Sequence, residues 1–296
     1  MTAAQLDTWL REANRRPLVM GVVNVTPDSF SDGGRFADPS AASAAALRMF
    51  QSGADWVDVG GESTRPSAPP VDPQEQIRRI VPVIGEIRRQ ANSLLSVDTT
   101  SAAVAEAALD AGADVVNDIS AGRDDPGMLA LIALRGAAII LLHMQGTPAT
   151  MQAEPTYKDV TDEVSRFLLE RRAAAMDTGI AQHRILLDPG LGFGKKLSHN
   201  LTLMRDTAAL ARLDAPLVVG PSRKSFIGQI TGEPKPAERV FGTAAAVAWC
   251  VANGAAVVRV HDVGPIAQVV RMIGAISAGK GPDFLKNNGP YAGLTV

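Results

Sequence analysis

The chain has 296 residues, of which 46% are hydrophobic, 20% are charged and only 4% are aromatic, and its formal net charge is −2. These values are typical of a globular protein with a large aliphatic core, and they exclude the basic surplus expected of proteins that bind nucleic acid or anionic membranes. The single cysteine, Cys250, excludes an internal disulfide and is expected to be a buried, inert thiol.

Eight short apolar runs occur along the chain, and each of them ends on a polar or charged residue. They cover residues 18–25, 56–60, 94–97, 115–116, 137–142, 185–187, 217–220 and 256–260. Runs of this length that are rich in Val, Ile and Leu indicate strands buried on both faces, as in a parallel sheet.

Ala-rich amphipathic segments separate these runs and are predicted to be helices. They cover residues 40–52, 74–92, 100–111, 126–135, 160–178, 201–213, 236–253 and 265–277, with a further short helix over 4–14. Alternation of this kind predicts an α/β fold with a parallel sheet and right-handed crossovers. Eight such units favour a single-domain (β/α)8 TIM barrel over residues 1–296, with its core at about 17–278. An open doubly wound sheet is the alternative, but its glycine-rich phosphate fingerprint is missing after the first strand.

The two ends of the chain carry no further fold signal. The N-terminal segment MTAAQLDTWLREANRR lacks the apolar core of a signal peptide, and no apolar stretch reaches the about 20 residues that cross a bilayer. A cytoplasmic protein without membrane contact is therefore expected. The segment 279–296 is rich in Gly, Pro and Asn and is predicted to be a peripheral tail.

Two loops, residues 26–35 and 60–70, exceed the usual length of strand-to-helix connections. Both are polar, contain Gly and Pro, and follow the first two strands, so they are expected on the same face as the strand ends. We predict mobile lids that order over a substrate, with long solvated turns as the alternative.

Polar residues at strand ends are expected to surround one site, because TIM barrels carry their chemistry there. Asp98, Asn117 and Asp188 end the third, fourth and sixth strands. Their carboxylate and amide groups suit the N–H and amino donors of a flat heterocycle. Each Asp alone could instead cap the following helix, but the three together favour a binding site.

A basic group follows the last two strands. Ser222, Arg223 and Lys224 come after the seventh strand, and Arg259 and His261 bracket the end of the eighth. Loops at these positions frequently bind phosphate in barrels. A surface charge cluster is the alternative, but Arg259 lies inside an apolar strand, where a charge needs a partner.

Three further residues interrupt or follow strands. Asn24 could hold a Mg²⁺ that keeps most of its waters, or hydrogen-bond a neighbouring loop. The string GLGFGK over residues 190–195 lacks the spacing of a phosphate-binding loop. It is predicted to be a flexible active-site loop that carries Phe193, or a tight turn. His143 ends the fifth strand and is expected to be an interior residue.

Most of these residues lie within strings that resemble the dihydropteroate synthase family, whose members act in folate biosynthesis and are targets of sulfonamide drugs. The strings are MGVVNVTPDSFSDGG, GGESTRPSA, SVDT, VVNDIS, LLHMQGTP, LLDPGLGFGKKLSHN, VGPSRKSFIG and VRVHDV, in the family's order from residue 20 to 263. The first two strings and SRKS are highly specific. The departures are Leu191, where an aromatic residue is frequent, and the tail after residue 279, which has no clear counterpart.

The resemblance implies a transferase that joins 6-hydroxymethyl-7,8-dihydropterin diphosphate to p-aminobenzoate, with Mg²⁺ as cofactor and a homodimer as the usual assembly. The implied catalytic residues are Asp98, Lys224, Arg259 and His261. Those implied to bind the pterin diphosphate are Thr64, Asp98, Asn117, Met144, Asp188, Lys224, Arg259 and His261. Ser29, Thr64, Arg65, Pro66, Phe193 and Ser222 are implied for p-aminobenzoate, and Asn24 for Mg²⁺.

The implied chemistry needs positioning and electrostatics more than a strong base. Diphosphate would leave from a methylene on an electron-rich ring, with Asp98 favouring the positive charge and Mg²⁺, Arg259 and His261 stabilising the departing oxygen. The arylamine is uncharged at neutral pH and can attack directly. Two alternatives remain open: a pterin-dependent methyltransferase of the same superfamily, which has no use for SRKS or RVHD, and a catalytically silent pterin-binding paralogue.

Overall fold

Eight parallel strands form one sheet in the computed structural model, which describes residues 1–12, 15–26, 39–63 and 68–278. The strands are β1 (Leu18–Asn24), β2 (Trp56–Gly60), β3 (Leu94–Asp98), β4 (Val115–Asp118), β5 (Ala138–Leu142), β6 (Ile185–Asp188), β7 (Val218–Val219) and β8 (Val257–Val260). Their order is β6-β5-β4-β3-β2-β1-β8-β7, and a bridge between Leu187 and Leu217 brings β6 beside β7. The sheet thus closes, which confirms the predicted TIM barrel over the open sheet.

Helices connect successive strands and surround the barrel. They are α1 (Ala3–Arg11), α2 (Pro39–Gln51), α3 (Pro73–Gln90), α4 (Ala102–Asp110), α5 (Met128–Arg135), α6 (Val160–Asp177), α7 (Leu197–Arg205), α8 (Thr207–Leu210), α9 (Ser225–Thr231), α10 (Val240–Ala252) and α11 (Val263–Ala278). Short 3-10 turns cover Gln182–Arg184 and Pro236–Glu238. The predicted N-terminal helix is therefore present, and most predicted helices differ from the observed ones only at their ends.

The seventh strand is shorter than the apolar run over 217–220 predicted. It comprises only Val218–Val219 and lies between Pro216 and Pro221. Proline has no backbone N–H to donate to a sheet, so these residues limit the strand on both sides. The segment after β7 contains α9, a helix that was not predicted, and α9 ends at Gly232, whose φ is 75°.

The single helix predicted over 201–213 is two helices. The first begins at Leu197 and ends at Arg205, and the second begins at Thr207. The break lies at Asp206, whose carboxylate accepts a hydrogen bond from Thr161 Oγ1 at 2.8 Å and also pairs with Arg205. These contacts tie the junction to α6, and helical periodicity alone does not reveal them.

Helix α1 covers the N-terminal end of the barrel. The first residues of the strands, such as Leu18 and Trp56, are fully buried inside the barrel. Leu6, Trp9 and Leu10 of α1 pack into the same hydrophobic cluster. This end is therefore filled by side chains, and the C-terminal strand ends form the face on which sites of such barrels lie.

Some predictions fall outside the described residues. They concern most of the first long loop, part of the second loop at 64–67, and the tail 279–296. In the part of the chain that the structure describes, no helix is both long enough and apolar enough to cross a membrane. Cys250 is buried in α10, and burial raises the pKa of its thiol to about 11, which agrees with an inert thiol.

Candidate active site

Polar residues from three strands lie in one row at the C-terminal end of the barrel. Asn24 of β1 is aligned with Gly60 of β2, Gly60 with Asp98 of β3, and Asp98 with Asn117 of β4. Gly60 has no side chain in this row. A Cβ added there would lie 3.4 Å from both Asn24 Oδ1 and Asp98 Cβ, so it would fill the space between them. The strand register therefore brings Asn24, Asp98 and Asn117 together.

Arg259 of β8 joins this row through two carboxylates. Its Nε lies 2.7 Å from Asp58 Oδ2, and its Nη2 lies 2.7 Å from Asp98 Oδ2. Burial disfavours the Arg259 cation, but the two carboxylates outweigh burial and raise its pKa. The charge inside the apolar strand thus has the partners that its position requires.

Asp98 is a buried acid that is harder to ionise than a free carboxyl group. Burial raises the pKa of Asp98, while Arg259 opposes the rise and Asp58 adds to it. A ligand that donates hydrogen bonds to Asp98, or that carries positive charge, will favour the ionised form.

Asp58 is a member of this network that the sequence analysis did not identify. Its fully buried carboxylate accepts hydrogen bonds from Ser96 Oγ, from Asn117 Nδ2 at 3.0 Å and from Arg259. These bonds fix the orientation of the Asn117 amide and of the Arg259 guanidinium. Asp58 lies in the middle of the apolar run WVDVG, and a charge inside a buried strand was the signal that could have revealed it.

Asp188 ends β6 beside the loop over residues 190–195. One of its carboxylate oxygens accepts the Gly190 N–H at 2.7 Å. Burial raises the pKa of Asp188 to about 6, although the Gly190 hydrogen bond and Lys224 oppose the rise. Gly190 has a φ of 68°, and a Cβ there would lie 2.0 Å from the carbonyl oxygen of His143, so only glycine fits.

Lys224 lies over the ring of Phe193, with 4.0 Å between Nζ and the ring centroid. Burial and, to a smaller extent, Arg259 lower the pKa of Lys224 to about 8, while Asp188 opposes the change. Phe193 also belongs to a small buried apolar cluster at this end of the barrel. The members of the cluster are Ile119, Leu142, Met144, Met151 and Phe193. Met144 and Phe193, the two described apolar residues that were predicted to contact the substrates, therefore lie in one cluster.

Ser222 and His261 form a hydrogen-bonded pair after β7 and β8. Ser222 Oγ lies 3.1 Å from His261 Nδ1 and accepts the His261 backbone N–H at 3.2 Å. Burial and, to a smaller extent, the nearby Arg259 and Arg223 lower the pKa of His261 to about 3, so the ring is neutral near pH 7. If Ser222 donates to Nδ1, the proton of the ring is on Nε2.

Arg223 does not join the phosphate donors with which the sequence grouped it. Its Nε and Nη2 lie 3.0 and 2.6 Å from the two carboxylate oxygens of Asp262. This bidentate pair already neutralises the guanidinium charge. Of the basic group that follows β7 and β8, Lys224 and Arg259 are the cationic side chains proposed to meet an anion.

The donor set around Asn24 suits only a weakly held metal. Asn24 ends β1 half-buried, with Gly60 between it and Asp98 in the strand register. The described ranges contain no group of three or more His, Cys, Asp or Glu side chains that could hold a metal ion. A single amide oxygen fits a Mg²⁺ that keeps most of its waters and bridges to a phosphate, and it does not fit a metal enclosed by protein ligands.

The described members of the predicted site come from the strand ends or from the loops that follow them. They are Asn24, Asp98, Asn117, Met144, Asp188, Phe193, Ser222, Lys224, Arg259 and His261. Ser29, Thr64, Arg65 and Pro66 lie outside the described residues, and their contacts with substrates stay predictions. The described part of the site therefore presents buried carboxylates together with the half-buried side chains of Lys224, Arg259 and His261.

Residues 20–261 match the family described as pterin binding enzyme. The dihydropteroate synthase of Synechocystis sp. is 46% identical over 262 residues, which cover 88% of this chain and 91% of the relative. The dihydropteroate synthase of Escherichia coli (strain K12) is 43% identical over 264 residues, which cover 89% of this chain and 93% of the relative.

Solved structures give the same result. Xanthomonas albilineans dihydropteroate synthase with 4-aminobenzoic acid has a TM-score of 0.84 and 44% identity, covering 89% of this chain and 94% of that chain. The Xanthomonas albilineans enzyme in complex with 7,8-dihydropteroate has a TM-score of 0.81 and 42% identity, with coverage of 89% and 94%. Because these similarities span nearly the whole barrel and both of its predicted substrate sides, the chain belongs to the dihydropteroate synthase family of pterin-binding enzymes.

Proposed function

We propose that the C-terminal end of this barrel is a dihydropteroate synthase active site in which carboxylates hold the pterin and Arg259 and His261 hold its diphosphate. The chain is a transferase that joins 6-hydroxymethyl-7,8-dihydropterin diphosphate to p-aminobenzoate and releases pyrophosphate. The observation that carries the assignment of the site is the position of Arg259, which contacts the pterin-side carboxylates directly.

The pterin side is built to accept hydrogen bonds. Asp98, Asn117 and Asp188 present oxygens from three strands, and a pterin offers ring N–H and amino donors to them. Asp58 holds the Asn117 amide in place. Because burial raises the pKa values of both Asp98 and Asp188 and the pterin donates to their ionised forms, we propose weaker pterin binding at lower pH.

Arg259 lies where the two halves of the substrate would meet. Two of its five N–H groups bind Asp58 and Asp98, and the others can bind diphosphate oxygens. As the bond to the departing oxygen breaks, the guanidinium stabilises the leaving group, and ionised Asp98 stabilises the positive charge left on the pterin methylene. One residue thereby couples the two charges that develop in the reaction.

His261 would act on the diphosphate as a neutral donor. Its low pKa keeps the ring uncharged near pH 7, and Ser222 bonded to Nδ1 leaves the Nε2–H to face the anion. This assigns Ser222 a role in fixing the His261 tautomer in addition to the p-aminobenzoate contact implied by the resemblance. Asn24 would hold a Mg²⁺ that supplies further charge to the diphosphate.

The second substrate would enter beside Lys224 and Phe193. The apolar ring of Phe193 suits the flat ring of p-aminobenzoate, and the cationic Lys224 above it suits a carboxylate or an anionic pterin group. Ser29, Thr64, Arg65 and Pro66 complete this side in the proposal. A solved Yersinia pestis relative carries a sulfonamide drug, so we propose that sulfonamides compete for the same place in this chain.

Product formation tests the function. The purified protein is incubated with dihydropterin diphosphate and p-aminobenzoate, with and without Mg²⁺, and pyrophosphate and dihydropteroate are both quantified. We expect equal amounts of the two products, dependence on each substrate, and stimulation by Mg²⁺. Pterin binding without pyrophosphate release would instead identify a silent paralogue.

We also propose a homodimer that uses the outer face of α10 and α11, which pack side by side. Phe241 and Trp249 of α10 are 86% and 51% exposed, and Met272 and Ile276 of α11 are each 63% exposed. Four large apolar side chains on neighbouring helices are typical of a covered surface. Sedimentation of Phe241→Glu beside the wild type tests this, with a monomer expected for the variant.

A cytoplasmic location also stays a proposal, which cell fractionation tests.

A further inference from the structure

Lys195 is a buried lysine whose hydrogen bonds hold the loop over residues 190–195 in place. The proposed chemistry does not use this side chain. Its side-chain Nζ lies 3.0 Å from His143 Nδ1, 3.3 Å from the His143 carbonyl oxygen and 2.9 Å from the Phe193 carbonyl oxygen. Lys195 is only 3% exposed. Burial is the main cause that lowers the pKa of Lys195, to about 7. The three neutral acceptors match the N–H donors of its amino group, so the buried nitrogen has partners.

His143, which accepts a hydrogen bond from Lys195, is packed against neighbouring aromatic rings. The His143 ring packs edge-on against Phe167 with 4.8 Å between centroids, and lies 6.0 Å from the ring of Tyr157. Burial and, to a smaller extent, Lys195 lower the pKa of His143 to about 2, so the imidazole is neutral and its Nδ1 can accept. Tyr157 Oη in turn donates to the Gly194 carbonyl oxygen at 2.8 Å, which adds a second tie to the same loop.

The loop held by Lys195 contains Phe193, which lines the candidate site. Phe193, whose carbonyl binds the amino group, places its ring 4.0 Å from Lys224 Nζ. The loop also runs in close contact with the end of β5, since a Cβ on Gly194 would lie 2.5 Å from the carbonyl oxygen of Gln145. Lys195 is the buried side chain that joins this closely packed loop to His143, the residue that follows β5.

We propose that Lys195 is a positioning residue for the second substrate: by binding the Phe193 carbonyl and the end of β5, it holds the Phe193 ring beneath Lys224. This inference rests on the proposed function in one respect, namely that p-aminobenzoate lies beside Phe193. The pterin contacts of Asp98 and Asn117 depend on the sheet and on Asp58 instead. Loss of Lys195 should therefore act on the arylamine side and spare the pterin side.

The decisive variant is Lys195→Met, with Lys196→Met as its matched control, because Lys196 is the adjacent lysine and is exposed. The first measurement is hydrogen exchange of the Gly192 and Phe193 amides, which are hydrogen-bonded within this part of the barrel. The Gly190 amide, which binds Asp188 on the pterin side, serves as the internal reference and should keep its exchange rate. We expect at least about tenfold faster exchange in Lys195→Met and no change in Lys196→Met. This readout does not require an active enzyme, so it decides the fastening role even if the proposed function fails.

The second measurement is the split between the KM values of the two substrates. For Lys195→Met we expect the KM for p-aminobenzoate to rise about tenfold or more while the KM for the pterin diphosphate stays within about twofold. A purely structural role would raise both or neither. Unchanged exchange in the loop, or equal changes in the two KM values, would overturn the proposal.

A second variant covers the case in which Lys195→Met does not fold. His143→Phe keeps an aromatic ring against Phe167 and Tyr157 but removes the Nδ1 acceptor, while both carbonyl acceptors of Lys195 remain. We expect faster amide exchange in the loop and a higher KM for p-aminobenzoate, with both changes smaller than in Lys195→Met. A folded His143→Phe protein with wild-type values for both quantities would contradict the role of Lys195.

Discussion

A buried carboxylate at this end of the barrel can favour ligand binding and at the same time lower the stability of the fold. Asp188 is an example, because burial raises its folded-state pKa to about 6 from an ordinary value of 3.8. An acid with a raised folded-state pKa loses folding stability as pH rises from its unfolded to its folded pKa. The ionised form that would bind the pterin is therefore the form that destabilises the empty protein.

Asp188→Asn isolates this effect. Asn mimics the protonated carboxyl and can still accept the Gly190 N–H, so the variant should match the wild type at about pH 4 and exceed its unfolding free energy by about 1–3 kcal/mol at pH 8. Urea unfolding at intervals between these pH values measures the gap, which should open between about pH 4 and pH 6. A gap that is the same at every pH would show that the carboxylate charge is not its cause. The same variant should bind the pterin more weakly.

At the residue scale, the sequence allowed most of the described site to be predicted, because polar residues at the ends of apolar runs are conspicuous. It did not reveal Asp58, since that residue lies mid-strand and its partners Ser96, Asn117 and Arg259 come from three other strands. Nor did it reveal that Arg223 is paired with Asp262. Pairings between distant residues depend on strand register, which a pattern of residue types does not contain.

At the scale of single elements, the loop after β6 owes its position to glycine at residue 190. Gly190→Ala would combine a positive φ with a Cβ placed 2.0 Å from the His143 carbonyl oxygen. Gly136 is the matched control, because its φ is 59° and a Cβ added there would meet no atom of the described residues within 4 Å. We expect Gly136→Ala to cost about 1–2 kcal/mol through the backbone alone. Gly190→Ala should cost at least about 2 kcal/mol more, because the backbone of β5 must also move.

Chemical unfolding of the two glycine variants checks this prediction. Equal losses of unfolding free energy would mean that the loop can relax away from β5. Gly190→Ala should also weaken pterin binding, because its amide is a hydrogen-bond partner of Asp188. Gly136→Ala lies at the end of α5 and should leave binding unchanged.

Helices and strands could be predicted where the local sequence pattern determines them. Their ends could not be predicted where contacts with other parts of the chain determine them. The apolar runs located each strand, but the two prolines around β7 shortened it to Val218–Val219. The break between α7 and α8 depends on Asp206 and its partner Thr161 in α6. Helix α9 lies in a segment whose sequence, SFIGQIT, is too short to display a helical period.

At the scale of the whole molecule, the two ends of the barrel have separate tasks. The N-terminal end is filled by α1 and the first residues of the strands, whereas the polar network occupies the C-terminal end. Stability and substrate contacts should therefore respond to different substitutions. The number of strand-and-helix units predicted this architecture from sequence alone, because eight parallel strands close naturally into a barrel.

Leu10→Ala tests the separation, with Leu134→Ala as its matched control. Leu10 is 3% exposed in α1, and Leu134 is 84% exposed in α5. We expect Leu10→Ala to lower the unfolding free energy by about 2–4 kcal/mol, and Leu134→Ala by no more than about 0.5 kcal/mol. Neither variant should change the KM values of the folded enzyme. A changed KM in Leu10→Ala would show that the closed end and the site are coupled.

The most direct measurement is single-turnover pyrophosphate release by Arg259→Lys beside the wild type. Lysine keeps one positive charge and so spares Asp58 and Asp98 from being buried without a cation, but it cannot bridge both carboxylates and the diphosphate. We expect a folded variant whose release rate is at least about 100-fold lower than that of the wild type. Wild-type release by the folded Arg259→Lys protein would contradict the view that Arg259 joins the pterin and diphosphate halves of the site.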